Sequence, residues 1–178
     1  MLDDLQNIIS LQSDLSWSGV FYGFTHNESG LLGRSVSVMS FYFSQWQFGA
    51  SAWGYKFHNL LIHLINGLLL ARLFCLLLPI MDRKLDRDKV LIIAGLSAAL
   101  WLLHPLLVST VLYAVQRMTQ LAVLFTLLAL LCYVKFRCMQ QQCWVWYWRA
   151  WLLFPFLMLL ALLSKETGVL IPLYILII

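Results

Sequence analysis

The stretch Phe57–Leu78, FHNLLIHLINGLLLARLFCLLL, decides the fold class of this chain. Arg72 is its only residue that carries a full charge at neutral pH, and the long arginine side chain can reach the membrane surface from a position near a helix end. A helix that crosses about 30 Å of hydrocarbon needs roughly 20 mostly apolar residues, and this stretch meets that length. The sequence therefore predicts a membrane-spanning helix here.

Four further apolar blocks follow, and each is nearly free of charge: Val90–Val115, Gln120–Phe136, Tyr147–Leu163 and Gly168–Ile178. Hydrophobic residues make up 62% of the 178 positions and charged residues 11%, which a water-soluble surface could not supply. We expect an all-α, polytopic membrane protein with about five membrane helices. The last block stops in mid-run, so we expect the chain to be a fragment of something longer.

Basic residues predict the orientation in the membrane. Lysine and arginine concentrate in two short loops, 81–89 and 135–149, and short basic loops are normally kept in the cytoplasm. The segment before residue 57 and the turns at 116–119 and 164–167 then lie on the extracytoplasmic side. Because orientation explains the net charge of +4, we expect membrane lipids and no nucleic acid as partners.

Residues 1–56 differ in amino-acid composition from the rest of the chain and are predicted to form an extracytoplasmic loop before the helical region 57–178. The loop is rich in serine, glycine and aromatic residues. One helical face would carry Val36, Met39, Phe43 and Trp46, and another would carry Ser37, Ser40, Ser44 and Gln47. This pattern favours a helix that lies in the membrane interface.

Polar residues within the first long helix are candidate functional groups. Asn59, His63 and Asn66 share one face, with His58 beside them. Polar groups inside a bilayer are costly unless they are partnered, and many serve function. The alternative is a hydrogen-bonded seam between packed helices, a common use of asparagine and histidine.

Cationic groups are expected together at the extracytoplasmic ends of the helices. His104, next to Pro105, interrupts the second apolar block, Arg117 lies in the turn before the third, and Lys165 precedes Glu166 in the last turn. Such groups could hold the phosphate of a lipid-linked donor, since arginine binds phosphate through two parallel hydrogen bonds. Ordinary phospholipid headgroups, or pairing of Lys165 with Glu166, are the alternatives.

The adjacent acids Asp3 and Asp4 form a carboxylate pair in the predicted extracytoplasmic loop. Two neighbouring carboxylates can act as a general base and as a metal or hydroxyl binder, although surface pairs of this kind are common. The cysteines, by contrast, lack metal or disulfide spacing, and we interpret them as small apolar residues. They are Cys75, Cys132, Cys138 and Cys143.

Several of these segments, in this order, resemble the N-terminal membrane region of GT-C-type glycosyltransferases. The similarity is greatest to bacterial relatives of the transmembrane and tetratricopeptide-repeat O-mannosyltransferase family. The segments that carry it are Leu2–Asp4, Gly33–Phe41, Tyr55–Gly67, Leu103–Leu106, Tyr113–Met118 and Leu163–Gly168. The chain departs from the family pattern at Ser35, where proline is usual. We expect the family's first membrane helix, later helices and repeats to belong to a longer parent protein.

The resemblance implies transfer of a sugar from a polyprenyl-phosphate donor to a hydroxyl of a protein or glycan acceptor, outside a bacterial inner membrane. It implies that Asp3 and Asp4 are catalytic, one of them as the base. Such an acid pair could hold Mg²⁺ or Mn²⁺ together with the donor phosphate. The implied donor-phosphate residues are Arg34, His104, Arg117 and Lys165. The supporting polar residues are His58, Asn59, His63 and Glu166.

Two other classes of function stay open at the level of sequence. A non-catalytic membrane fragment or scaffold would fit the missing ends. A transporter or flippase would fit the polar stripe and the proline-broken helix, because broken helices form binding sites near the membrane midplane. Most of the polar groups lie towards the extracytoplasmic end, which favours the transferase.

Overall fold

A computed structural model describes residues 34–49, 51–139 and 144–177, and its regular structure over these residues is entirely helical. Seven α-helices are described: α1 Ser35–Phe48, α2 Ala52–Met81, α3 Arg87–Leu102, α4 Val108–Leu112, α5 Arg117–Met139, α6 Trp144–Ser164 and α7 Ile171–Ile177. Short 3-10 turns at Pro105–Leu107, Ala114–Gln116 and Glu166–Leu170 connect some of them. The all-α prediction is confirmed for this part of the chain.

Two helical segments are long and apolar enough to cross a membrane. They are Ala52–Met81, of 30 residues, and Ala114–Cys138, of 25 residues. Arg87–Leu102 together with Pro105–Leu112 would make a third, but these two pieces meet at an angle of 53°. The apolar helices Leu152–Ser164 and Glu166–Ile177 are shorter. By length and composition, the described residues therefore include two helices that could cross a membrane, or three with the bent pair.

The bend at Pro105 leaves its backbone groups partnered. Proline has no N–H group, and a continuous helix would also need Leu106 N–H to bond to the Leu102 carbonyl. Here Leu106 N–H donates to His104 Nδ1 at 3.3 Å, and the Leu102 carbonyl faces His63 Nε2 at 3.1 Å. The chain can therefore turn at this point because two histidines provide partners for the Leu106 N–H and the Leu102 carbonyl.

Helices α2 and α5 run side by side in the same direction. Tyr55 and Arg117, near their first residues, are in contact, and further along Leu73 packs on Leu127 and Leu130. We call the end that holds Tyr55 and Arg117 the arginine end. Both helices finish at the opposite end, so the basic loop after α2 and the basic residues at the end of α5 lie at one end, as the orientation requires.

Helix α1 forms where the sequence predicts one, and its apolar face points outward. Ser37 and Ser44 are 0% and 1% exposed, whereas Phe43 is 51% and Trp46 is 73% exposed. Ser37 Oγ donates to the Ser164 carbonyl at 3.0 Å, which fixes α1 against the end of α6. A helix with this distribution suits apolar or interfacial surroundings better than water.

Gly168 allows the chain to reverse after α6. A Cβ atom at this position would lie 2.6 Å from the backbone carbon of Ala161, so any larger residue would push the turn away from α6. The close approach brings Lys165 and Glu166 back over the arginine end.

We expect cysteine labelling to find the two ends of this bundle on opposite sides of the membrane. In a chain whose four cysteines are replaced by alanine, Thr167→Cys should react with an impermeant maleimide in intact cells. Lys84→Cys should react only after permeabilisation, because it lies in the basic loop. Labelling of both positions from the same side would contradict the predicted topology.

Candidate functional site at the arginine end

Among the residues that the structure describes, Arg117 is the largest side chain that is fully buried, and its guanidinium joins three helices. Its Nε donates to Asn59 Oδ1 at 2.8 Å, and Nη2 donates to the Tyr55 carbonyl at 2.7 Å, so both contacts are to α2. Its Nη1 donates to the Ser40 carbonyl at 3.0 Å and to Ser44 Oγ, both in α1. A buried charge is tolerated only when such partners replace water.

Aromatic rings complete the surroundings of this guanidinium. Its central carbon lies 4.6 Å from the ring centroid of Phe41 and 5.6 Å from that of Tyr55, distances that allow cation–π attraction. The two rings themselves meet edge to face at 6.0 Å. With 0% exposure, Arg117 presents no surface to a lipid headgroup, so its geometry departs from the phosphate-binding role implied by the resemblance.

The polar stripe of α2 forms a seam with the backbone of its neighbours. Asn59 Nδ2 donates to the Tyr113 carbonyl at 2.9 Å and the Val111 carbonyl at 3.3 Å. Asn66 Nδ2 donates to the Gln120 carbonyl at 3.0 Å, and His63 contacts the Leu102 carbonyl as described above. The predicted alternative of interhelical hydrogen bonding therefore describes these three residues.

Arg34 and Glu166 form an ion pair at the surface of the arginine end. The residues are 132 positions apart in sequence. Arg34 Nη2 lies 3.1 Å from Glu166 Oε2 and 3.2 Å from Oε1, and Arg34 Nε lies 3.3 Å from Oε1. The pair connects the start of α1 with the turn after α6.

Lys165 lies beside this pair and is held by α5. Its Nζ donates to Thr119 Oγ1 at 2.8 Å, and Thr119 Oγ1 donates to Gln116 Oε1 at 3.1 Å. Arg34 Nη1 in turn contacts Met118 Sδ at 3.4 Å, so adjacent residues of α5 hold both cations. We call Arg34, Lys165 and Glu166 the surface triad.

The two remaining histidines among the predicted residues lie elsewhere. His104 caps the 3-10 turn after α3, where its Nδ1 accepts a hydrogen bond from the Leu106 N–H. His58 contacts the Gly54 carbonyl at 3.0 Å and lies among aromatic rings, with Phe48 at 5.5 Å and Phe43 at 5.7 Å between centroids.

The predicted catalytic acids Asp3 and Asp4 lie outside the described residues, so their catalytic role stays a prediction. Within 34–49, 51–139 and 144–177, no group of three or more histidine, cysteine, aspartate or glutamate residues is arranged to hold a metal ion. The Mg²⁺ or Mn²⁺ considered for the acid pair likewise stays a prediction.

Several residues that build the site are not among the site residues predicted from the sequence. Tyr55 and Ser44 bind Arg117, and Thr119 holds Lys165. The serine face of α1 is a sequence signal for this contact. Small hydroxyl side chains at helical spacing, on a helix without charge, can accept hydrogen bonds from a buried donor on a neighbouring helix.

Comparisons with protein-family models, with curated proteins and with solved structures found no match to this chain. The fold and the site define a helical bundle with apolar helices long enough for a membrane and a surface triad of two cations and one carboxylate.

We expect Arg117→Ala to lower the stability of the protein by roughly 2–5 kcal/mol, because it removes charge-assisted hydrogen bonds and leaves buried acceptors unpaired. Arg117→Lys should recover only part of this loss, since one ammonium cannot reach all four acceptors. The measurement is thermal unfolding in detergent. The control is Arg72→Ala, which removes the same charge from an exposed position; equal effects at both positions would contradict the burial of Arg117.

The Arg34–Glu166 pair should stabilise the fold at neutral pH and lose its effect in acid. The pKa of the Glu166 carboxyl lies below its usual value of 4.5, mainly through a hydrogen bond from its own backbone N–H and then through Arg34. Because the folded state has the lower pKa, the stabilisation is complete above the unfolded value and disappears as the pH falls through the folded value.

Glu166→Gln should therefore lower the melting temperature at pH 7 by roughly one or two degrees, a small effect because the pair is part-exposed. The difference between wild type and variant should shrink steadily as the pH is lowered below 4.5. A difference that is unchanged at pH 3 would rule out this pair as its origin.

Proposed function

We propose that this chain is part of a membrane glycosyltransferase that moves a sugar from a polyprenyl-phosphate donor to an acceptor hydroxyl at the extracytoplasmic face. One observation carries the proposal: Arg34 and Lys165, distant in sequence, lie at the same end of the bundle, opposite the basic loops, where Arg34 pairs with Glu166 and Lys165 donates to Thr119. Two part-exposed cations at a membrane surface suit the phosphate of a lipid-linked donor.

The reaction would be a direct displacement at the anomeric carbon. One carboxylate of Asp3 or Asp4 takes the proton of the acceptor hydroxyl, and the hydroxyl oxygen attacks the anomeric carbon. The bond from that carbon to the phosphate oxygen breaks, and polyprenyl phosphate leaves. Arg34 and Lys165 would neutralise the charge that develops on the leaving phosphate, a role that preorganised donors perform well.

Arg117 would contribute indirectly in this scheme. It holds α1 against α2 and α5, and Arg34 is the residue from which α1 begins. Positioning by a buried residue matters because a displacement of about 1 Å can cost a hundredfold in rate. We therefore propose that Arg117 positions α1, and that Arg34 and Lys165 bind the donor phosphate.

The membrane setting is part of the proposal. We propose about five spans, with α6 and the segment that begins at Gly168 as the fourth and fifth, in a bacterial inner membrane. Two observations support it: the lengths of α2 and α5, and the outward apolar face of α1.

A transporter is the less favoured function. Its binding site would use the stripe of α2 and the broken helix, yet the side-chain nitrogens of Asn59, His63 and Asn66 are engaged with backbone carbonyls of neighbouring segments. A non-catalytic scaffold would need no cations gathered at one surface, so the surface triad favours the transferase.

The replacement of Asp3 and Asp4 by alanine should abolish sugar transfer. The assay is transfer from polyprenyl-phosphate mannose to acceptors in membranes that carry the protein. Loss of a general base alone lowers rates by about 10²–10⁴-fold. Asp14→Ala, which removes an acid from the same predicted loop, is the control. Unchanged transfer by the double variant would show that the acid pair is not catalytic.

A further inference from the structure

We propose that Glu166 is an exchangeable counter-anion: its carboxylate occupies the position on Arg34 that a lipid-linked phosphate takes, and the two anions displace each other. The inference deepens the proposed function and rests on it, because it describes how the donor phosphate enters and how the product phosphate leaves the same site.

The contacts of the pair are those of an anion site that is already filled. Arg34 presents Nε and Nη2 to the two carboxylate oxygens of Glu166 at 3.1 to 3.3 Å. Carboxylate and phosphate both offer two oxygens to the same edge of a guanidinium, so one can replace the other without a change in the arginine. The third nitrogen, Nη1, has the weak acceptor Met118 Sδ as its partner at 3.4 Å.

The side chain of Arg34 is part-exposed, whereas that of Arg117 is buried. The side chains of Arg34 and Glu166 are 28% and 37% exposed, so a headgroup can reach the pair and Glu166 can move aside without unpacking the bundle. Arg117 is 0% exposed, and the same exchange there would require helix separation. Of the two arginines, only Arg34 is thus open to a ligand.

The backbone at Arg34 also singles out this position. Its φ of 43° and ψ of 38° place it in the left-handed region, which is uncommon for a residue with a side chain. Residues in such conformations are concentrated at ligand sites and switches, where surrounding contacts hold them. Here the first turn of α1 and the contact with Glu166 hold Arg34.

The charges of the surface triad explain why an exchangeable carboxylate is useful. Arg34, Lys165 and Glu166 together carry a net charge of about +1, which one phosphodiester of a glycosylated carrier would neutralise. The product carrier is a phosphomonoester with more negative charge. Return of Glu166 to Arg34 then competes with the product for the arginine and promotes its release.

Binding can be measured without any sugar transfer, so the exchange and the proposed catalysis are tested separately. The full chain is placed in phosphatidylcholine nanodiscs, and affinities are measured by native mass spectrometry for three probes: polyprenyl phosphate, phosphatidylglycerol and inorganic phosphate. The variants are Glu166→Gln and Arg34→Gln. Asp88→Asn, at the opposite end of the bundle, removes one acid as the matched control.

We expect Glu166→Gln to bind polyprenyl phosphate about twofold to fivefold more tightly, the range set by the free energy of a part-exposed ion pair. Arg34→Gln should weaken binding by about tenfold or more, because it removes charge-assisted hydrogen bonds. Asp88→Asn should leave the affinity unchanged. Glu166→Asp, which keeps the charge but draws the carboxylate back, should give an intermediate increase and serves if Glu166→Gln does not fold.

The probes distinguish the source of the phosphate. If Glu166→Gln binds only polyprenyl phosphate more tightly, the ligand is a lipid-linked carrier. If phosphatidylglycerol or inorganic phosphate gains affinity equally, the site accepts any phosphate. Both outcomes support the exchange. If neither Glu166 variant tightens binding of any probe, or if Arg34→Gln binds as the wild type does, the exchange is overturned. Neither result depends on whether Asp3 and Asp4 are catalytic.

Discussion

The burial of one guanidinium, that of Arg117, constrains much of this structure. Away from water, each of its N–H groups needs an acceptor, and the carbonyl and side-chain oxygens that serve come from two other helices, α1 and α2. Those acceptors can be supplied only if α1 turns its serine face inward, which leaves Phe43 and Trp46 on the outside. The charge of Arg117 thus determines the face of α1, and the position of α1 determines where Arg34 lies.

The same requirement for partners explains the broken segment between α3 and α5. Proline removes a donor and frees a carbonyl, and in apolar surroundings such groups must be matched from nearby. His63 and Asn59 of α2 contact the carbonyls of Leu102 and Tyr113, on either side of the short helix α4. The polar stripe and the break therefore depend on each other. The stripe provides partners for carbonyls at the break, and those carbonyls provide partners for the buried polar side chains of the stripe.

Sequence patterns anticipated the parts of the fold that depend on local composition. The apolar run Phe57–Leu78 lies inside α2. The helix predicted within residues 1–56 is present as α1, and the helix is interrupted at Pro105 as predicted. The burial of Arg117 could not be read in this way, because it depends on a tertiary contact with α1, and the serine spacing of α1 does not identify the residue that it packs against. The serine spacing of α1 predicts a polar surface, whereas Ser37 and Ser44 are buried and Ser44 binds Arg117.

Three cations near the arginine end illustrate how side-chain chemistry divides the work. Arg117 faces four acceptors from two helices, and only a planar guanidinium with five fixed N–H groups can serve them together. Arg34 has the same group but one carboxylate on its edge, so its binding face can change partners. Lys165 is a single ammonium on a flexible stem, anchored through Thr119, and can follow a charge that moves. In the proposed function, Arg34 and Lys165 hold the donor phosphate and release the product, and Arg117 keeps α1, and with it Arg34, in place.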